Sequence, residues 1–517
     1  MSVLAIDAGT TGVTALVITE DGTVAGRGYQ EFRQYFPNPG WVEHLPEGIW
    51  QATLGACRQA LDAVGDGAGG AAAVTCIGIT NQRETAVIWD RATLAAPRRA
   101  IVWQDRRTAD ICAQLRDQGL QDRVSTVTGL RLDPYFTATK LTWLARNDPA
   151  VWAGVVDGSL AVGTVDSYLI ARLTGGRRHV TDASNASRTL LFDIEAGQWS
   201  AQMCELFGVP PHALPEVVPS SGVAGHTDPD AFLSLSLPVA GIAGDQQAAL
   251  FGQACFSVGS SKCTYGTGSF VLANTGASIV RSQAGLLSTV AWMDSSGGLT
   301  YALEGSVFVT GAAVQWLRDG LGLLDNAGQS EALASSVADS GGVVFVPALT
   351  GLGAPDWDPD ARGAMFGLTR GTTRAHLVRA TLEAIAFEVR DVADLMSAEV
   401  NRAGIGATTA SSGSSGAEAG PLAGALPLRV DGGASINDLL MQMQATELQA
   451  PVERPVVAET TALGAAFLAG LATGVWSSPG ELAATWRLDR RFEPGARDES
   501  AYARWRSAVQ CTKSWAR

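Results

Sequence analysis

The chain has 517 residues and a mass of 53.7 kDa, more than one compact core takes up and enough for two large domains. Apolar residues make up 46% and charged residues 17%, which excludes wholesale disorder. Lys and Arg number 37 against 51 Asp and Glu, a net charge of −14, so the basic footprint of a nucleic-acid or anionic-membrane binder is missing.

In chain order, Val3–Ile6 is a short apolar run closed by Asp7-Ala8-Gly9-Thr10-Thr11-Gly12. A second β-prone run, Ala15–Thr19, leads into Asp21-Gly22, a strong hairpin signal. The spacing then predicts a helix over Gly48–Val64 and a buried strand over Ala72–Ile79, a layered α/β pattern. Midway, Val239–Ala243 runs into Gly244-Asp245-Gln246-Gln247, and Thr264–Phe270 turns into the apolar Val271-Leu272-Ala273. The pieces AGTTGVTALV and YGTGSFVLAN share a Gly/Thr turn followed by a strand, a weak internal repeat that predicts two similar halves meeting near residue 250. Residues 403–420 are almost all Gly, Ala, Ser and Thr and read as a flexible surface insertion. After it, Leu428–Val430 reads as a strand stopping at Asp431-Gly432-Gly433, with a helix carrying Leu439, Leu440, Met443 and Gln444.

Three turns therefore share a logic: Asp7-x-Gly9-Thr10-Thr11, Tyr265-Gly266-Thr267-Gly268 and Asp431-Gly432-Gly433. Small residues let backbone N–H groups face a phosphate, hydroxyls add donors, and a carboxylate can hold Mg²⁺ through water. One such turn is merely a good turn; three at strand ends point to a nucleotide cleft between the halves. Gly65-x-Gly67-x-x-Gly70 spells the dinucleotide pattern but follows a helix and precedes a strand, the wrong context. Asp245 closes an apolar strand, which suits a general base or equally a helix N-cap. Arg83-Glu84, after another buried strand, fits a surface pair or two hydroxyl-binding groups; Trp103, Tyr135 and Phe270 each fit a core. The seven cysteines and five histidines show no metal spacing, and the cysteines read as reduced thiols of a cytoplasmic protein. No signal peptide is visible, and no apolar run reaches transmembrane length.

Taken together these segments closely resemble the FGGY family of carbohydrate kinases, of the actin and sugar-kinase superfamily, and within it the members that phosphorylate glycerol. The resemblance runs almost end to end through PGWVEH (39–44), GITNQRET (78–85), AIVWQDRRTA (100–109), VTDASNASRT (180–189), GIAGDQQAALFGQ (241–253), TYGTGSF (264–270) and GLGAPDWDPDARGAMFGLTRG (351–371). Tyr135–Leu144 resembles the first family signature and Gly363–Glu383 the second. The resemblance implies an α/β fold of two actin-like (ribonuclease H-like) domains flanking a deep nucleotide and substrate cleft. The first, over 1–250, would bind polyol and phosphate; the second, over 251–517 with the 403–420 insertion, would bind nucleotide. It implies ATP and Mg²⁺, glycerol as substrate, and a cytoplasmic homo-oligomer, a dimer or tetramer.

Carried over position by position, Arg83, Glu84, Tyr135, Asp245 and Gln246 match the polyol hydrogen-bonding groups, and Trp103 and Phe270 its apolar walls. Asp245 matches the general base, and Asp7 with Asp245 the metal-associated carboxylates. Thr10, Thr11 and Thr267 match phosphate contacts, with Gly12 and Thr14 at further positions of the same nucleotide-binding loop; Gly311, Gln315, Gly433 and Asn437 match the nucleoside pocket. Two positions depart: where the family's loop reads D-x-G-T-T-S-x-[RK], this chain has Gly12 for the serine and Thr14 for the cation. A lost cation beside a transferring phosphate predicts a working but kinetically altered kinase. The segment Gly225–Pro238 carries no match to the loop that binds fructose 1,6-bisphosphate in some relatives, and His226 lacks the surroundings of a phosphorylated regulatory histidine. The rivals are a kinase for another small polyol or ketose, and a ligand-binding regulator that has lost turnover.

Overall fold

The computed structural model describes residues 1–65, 74–405 and 426–515. The candidate insertion at 403–420, from 406 onward, and most of the 65–70 glycine pattern lie outside them. The chain divides into two compact units: Met1–Ala254 with Ser288–Tyr301 and Thr460–Trp486, and Cys255–Leu287 with Ala302–Glu459 and Arg487–Arg517.

The first unit is built on a six-stranded sheet ordered Ser221–His226, Pro238–Gly244, Val74–Asn81, Ser2–Ala8, Gly12–Thr19, Val24–Glu31. Ser2–Ala8 runs antiparallel to Gly12–Thr19 and parallel to Val74–Asn81, which is in turn parallel to Pro238–Gly244. The alternation of side chains across the pleat sorts this sheet into two faces. Leu4, Ile6, Ala8, Val13, Ala15 and Val17 share one core with the buried side of helix Pro46–Val64. Asp7 and Thr14, paired across the strands, lie on the other face.

The expected division at residue 250 differs from these units mainly at helix Thr460–Thr473. That helix is buried through Gly470 and rich in Ala and Gly, so it beds tightly against the first unit. A Cβ on Gly464 would stand 1.8 Å from the Ala248 carbonyl oxygen of helix Asp245–Gly252, an approach only glycine permits.

The second unit is built on strands that lie side by side in the order Ser269–Gly276, Ser261–Tyr265, Leu428–Asp431, Val452–Pro455, Leu488–Phe492. Its heart repeats the first unit: a hairpin, Ser261–Tyr265 with Ser269–Gly276, whose first strand also pairs in parallel with Leu428–Asp431. Parallel and then antiparallel neighbours follow, as in the first unit. The weak repeat in the sequence is thus a repeat of register and strand order. Helix Arg374–Arg402 supplies much of the core here, burying Val378, Leu382, Ile385, Val389 and Met396. Among the described residues no helix is long and apolar enough to cross a membrane.

Candidate active site

In the first unit, the turn between Ala8 and Gly12 and the ends of the parallel strands Val74–Asn81 and Pro238–Gly244 bring the expected polyol groups together, where α/β sheets collect ligands. Gly244 N–H donates to Ser184 Oγ (2.9 Å), and Ser184 donates to the buried Asp182 (3.0 Å), fixing the strand end that presents Asp245. Asp245 opens helix Asp245–Gly252 and its Oδ1 accepts from the Gln246 N–H at 2.7 Å. The helix N-cap is Gly244, so Asp245 is not the cap.

From Asp245 a ladder of alternating charge runs inward. Arg83 Nε lies 3.0 Å from Asp245 Oδ1 and 3.8 Å from Glu84 Oε1, and Arg188 Nε donates to Glu84 Oε1 at 2.8 Å. Arg83, Glu84 and Arg188 are buried while Asp245 remains partly open. Buried charges of this kind persist only when each meets an opposite partner in good geometry. Arg83 spends its other donors on Gln247 Oε1 (3.1 Å) and the Tyr135 hydroxyl (3.3 Å). Tyr135 in turn meets Trp103 edge to face, with ring centroids 5.6 Å apart. The residues expected to bind hydroxyls and two of the expected aromatic residues therefore stand side by side. The surface-pair reading of Arg83-Glu84 is excluded by their burial.

Asp7 faces the same region. Its carboxyl is pushed up to about 7, by burial first and then by the negative charge of Asp245. Two oxygen donors that repel one another suit a Mg²⁺ ion, which takes one or two carboxylates together with substrate phosphates. Among the described residues no group of three or more His, Cys, Asp and Glu could hold a metal by itself. All seven cysteines are free, and burial pushes the thiols of Cys112, Cys255 and Cys263 up to about 12.

Thr10 and Thr11 sit in the first turn, and Gly12 opens the returning strand. A Cβ on Gly12 would lie 2.8 Å from the Tyr29 hydroxyl, so the phenol occupies the space a serine side chain would need. Thr14 stands across from Asp7 on one side and Tyr29 on the other.

In the second unit, Thr267 and Phe270 lie on one hairpin, Thr267 exposed in its turn and Phe270 partly buried on strand Ser269–Gly276. The Thr267 carbonyl accepts from Thr310 N–H (2.8 Å) and Ala312 N–H (3.1 Å), and Gly311 N–H donates to Gly266 O (3.0 Å). The first N–H groups of helix Gly311–Asp319 are thus spent on the turn, which leaves the exposed Thr267 side chain as its outward group. Gln315 is exposed one turn further along. Gly433 is exposed, and a Cβ there would meet nothing within 4 Å. Asn437 caps helix Asp438–Leu448, accepting from Leu440 N–H at 2.9 Å and donating to Ser330 Oγ at 3.2 Å.

The sequence reading missed Arg188, Gln247, Gln82, Thr85 and Lys140 as members of this site. Lys140 is wholly buried and donates to the carbonyls of Pro134, Tyr135 and Phe136 at 3.0, 2.6 and 3.1 Å, clamping the loop that presents Tyr135. All five stand inside segments that carried the family resemblance, and that was the available signal.

This architecture and these segments define a class. Residues 2–252 match the N-terminal domain and residues 261–473 the C-terminal domain of the FGGY family of carbohydrate kinases, and the chain belongs to that family. Among particular relatives, it is 54% identical to glycerol kinase of Aromatoleum aromaticum over 515 residues and 50% identical to glycerol kinase 2 of Thermotoga maritima over 516, covering 99% of each chain in both cases. Among solved structures it is similar to Plasmodium falciparum glycerol kinase with ADP (33% identity, TM-score 0.85, 99% of this chain and 98% of that one). It is also similar to a xyloylose kinase from Brucella ovis (26% identity, TM-score 0.79, all of both chains).

Proposed function

We propose that this protein transfers the γ-phosphoryl group of ATP to a terminal hydroxyl of glycerol, giving sn-glycerol 3-phosphate. The observation that carries the reading is the buried charge ladder Arg188–Glu84–Arg83–Asp245 beside Trp103 and Tyr135. A small, hydroxyl-rich substrate is told from its analogues by polar groups that would be left unpaired by a missing hydroxyl, and Arg83, Glu84, Tyr135, Asp245 and Gln246 are such groups. The full-length similarity to two glycerol kinases supports the same substrate.

Asp245 is the general base: its carboxylate takes the proton of the attacking hydroxyl while Arg83 and the Gln246 N–H hold it in one orientation. Phosphoryl transfer asks the protein chiefly for positioning and charge neutralisation. Thr10, Thr11, Gly12 and Thr14 of the first unit, and Thr267 of the second, are assigned to the phosphates. Gly311, Gln315, Gly433 and Asn437 are assigned to the nucleoside. Asp7 and Asp245 would hold Mg²⁺, which when bound neutralises the charge of the transferring group. Phe270 is assigned to the apolar wall with Trp103. The reading includes a cytoplasmic location, which the free cysteines suit, and a homo-oligomer, which sedimentation would test.

The deciding experiment is ADP release from MgATP with and without glycerol, with Asp245→Asn as control. Glycerol-dependent release abolished in the control supports the reading, and glycerol binding without ADP release overturns it in favour of a ligand-binding regulator. The similarity to a xyloylose kinase keeps a second reading, a kinase for another small polyol or a ketose. A substrate panel in which glycerol is not the best acceptor would favour that.

A further inference from the structure

One tryptophan touches both halves of the first unit's chemistry. The Trp103 indole N–H donates to Thr10 Oγ at 2.9 Å, joining residues 93 apart in the chain, while its ring meets Tyr135. The Trp103 backbone N–H donates to Thr85 Oγ (3.3 Å), Thr85 donates to Gln82 Oε1 (2.9 Å), and Gln82 Nε2 donates to Gly9 O (2.9 Å). Gln82 N–H also holds the Ala8 carbonyl at 2.9 Å. Gly9, Thr10, Trp103, Thr85 and Gln82 therefore close a hydrogen-bonded ring. Gln82 and Thr85 are buried, and no bond of the ring needs a ligand.

We propose that this ring couples the polyol wall to the phosphate turn, with Trp103 and Gln82 setting the direction in which the Thr10 hydroxyl donates. A hydroxyl carries one proton and two lone pairs. Because Thr10 Oγ accepts from the indole, its own proton must point away from Trp103, and among the described residues it has no other hydrogen-bond partner. That proton is the donor presented to a phosphate oxygen. A polyol seated against the ring face fixes the plane of the indole, and the indole fixes Thr10. Glycerol occupancy then favours phosphate binding in the same unit, and by reciprocity phosphate binding favours glycerol. Gln82 acts as a positioning residue, pinning both peptide groups that lead into Thr10.

The inference rests on the polyol and phosphate assignments above, and its test separates the two. Trp103→Phe keeps an aromatic wall and removes the N–H; Thr10→Val removes the hydroxyl; the two are combined in a double-mutant cycle. Each single variant is expected to lose about tenfold in kcat/KM for ATP and to raise the glycerol KM at saturating ATP, while the glycerol Kd without nucleotide moves less than about threefold, and the double variant is expected to be no worse than Thr10→Val alone. Additive losses, or a Trp103→Phe effect confined to the glycerol KM, would overturn the coupling and leave Trp103 a passive wall. Should Trp103→Phe fail to fold, Thr85→Val interrupts the ring away from both ligands. It is expected to weaken ATP use with little change in the glycerol Kd measured without nucleotide, and an unchanged ATP KM overturns the proposal. MgADP titrations of the wild type and Trp103→Phe, at zero and saturating glycerol, read the coupling without turnover. If the wild type releases no ADP, the kinase reading fails; a glycerol-enhanced ADP affinity that Trp103→Phe abolishes would uphold the coupling, and its absence would sink it.

Discussion

The two units share a hairpin-plus-parallel-strand core, yet they equip it in opposite ways. In the first unit the candidate groups are charged side chains buried in mutual contact: Arg188 on Glu84, Arg83 on Asp245, with Asp7 pushed up to about 7 beside them. In the second they are turn backbone and exposed, mostly uncharged groups, Thr267, Gln315 and Gly433, resting on a framework whose own hydrogen bonds are internally satisfied. A buried charge network is rigid and selective but loses heavily when one member is removed. A surface of small residues is tolerant and reads shape. The contrast suits a small polyol that must be told from its analogues by its hydroxyls, and a nucleotide whose bulk supplies much of its own affinity.

The largest effects are expected at the charge ladder. Asp245→Asn is expected to lower kcat by at least 10²-fold, the low end for a general base, with the melting temperature little changed; a mutant retaining most of its ADP release would remove Asp245 from the mechanism. Next, Glu84→Gln removes the buried carboxylate that Arg188 Nε meets at 2.8 Å. Removing one partner of a buried ion pair costs about 3–5 kcal/mol, so the melting temperature should fall markedly and the glycerol KM rise. A variant as stable as the parent would mean that the ladder is looser than its 2.8 Å Arg188–Glu84 contact indicates.

Thr14→Arg tests the phosphate loop. An arginine there would face Asp7 across the paired strands, and its positive charge would lower the raised Asp7 carboxyl. The acidic limb of the pH profile of kcat/KM for ATP should move to lower pH, with a several-fold gain in kcat/KM if the missing cation limits the enzyme. An unchanged profile would show that Thr14 with Tyr29 serves as well as the family's cation.

Acid sensitivity follows from two histidines in the first unit, His44 buried and His179 half-buried. Burial holds His44 down to about 4, and burial followed by the charge of Arg91 holds His179 there also. Each folded-state value lies below the ordinary 6.5. Stability is therefore fully present above pH 6.5, is lost as pH falls towards 4 while the unfolded chain takes up protons, and levels off below. The loss is at most about 3 kcal/mol per histidine. Urea unfolding across that range checks it, and a flat profile would place both rings in contact with water.

How much of this the sequence disclosed depends on the kind of interaction. Strand–turn–strand patterns were legible because alternation and Gly/Thr turns are local, and the residues proposed for the polyol could be named because they stand in long family-like stretches. The return of helix Thr460–Thr473 to the first unit was not, because an Ala/Gly helix buried on most sides carries no face that names its partner. Nor was the ladder: Glu84 and Arg188 are 104 residues apart, and only the fold pairs them. Gly12 read as a plain loss of serine, whereas the Tyr29 hydroxyl fills that space from a neighbouring strand.

The smallest effect is expected in the second unit, and it is the sharpest test of that unit's role. A methyl group at Gly433 would meet no protein atom within 4 Å, and its φ lies outside the left-handed region. Gly433→Ala should therefore leave the melting temperature within the range of ordinary surface substitutions, about 0.5 kcal/mol in stability. Any functional cost must then come from whatever approaches the backbone there. A two- to fivefold rise in the ATP KM, with the glycerol KM unchanged, is the size a crowded nucleoside contact would give. A larger loss of stability would mean that the open space is closed in solution. Wild-type kinetics for ATP would remove Gly433 from the nucleotide assignment and leave Thr267, Gly311 and Gln315 to carry it.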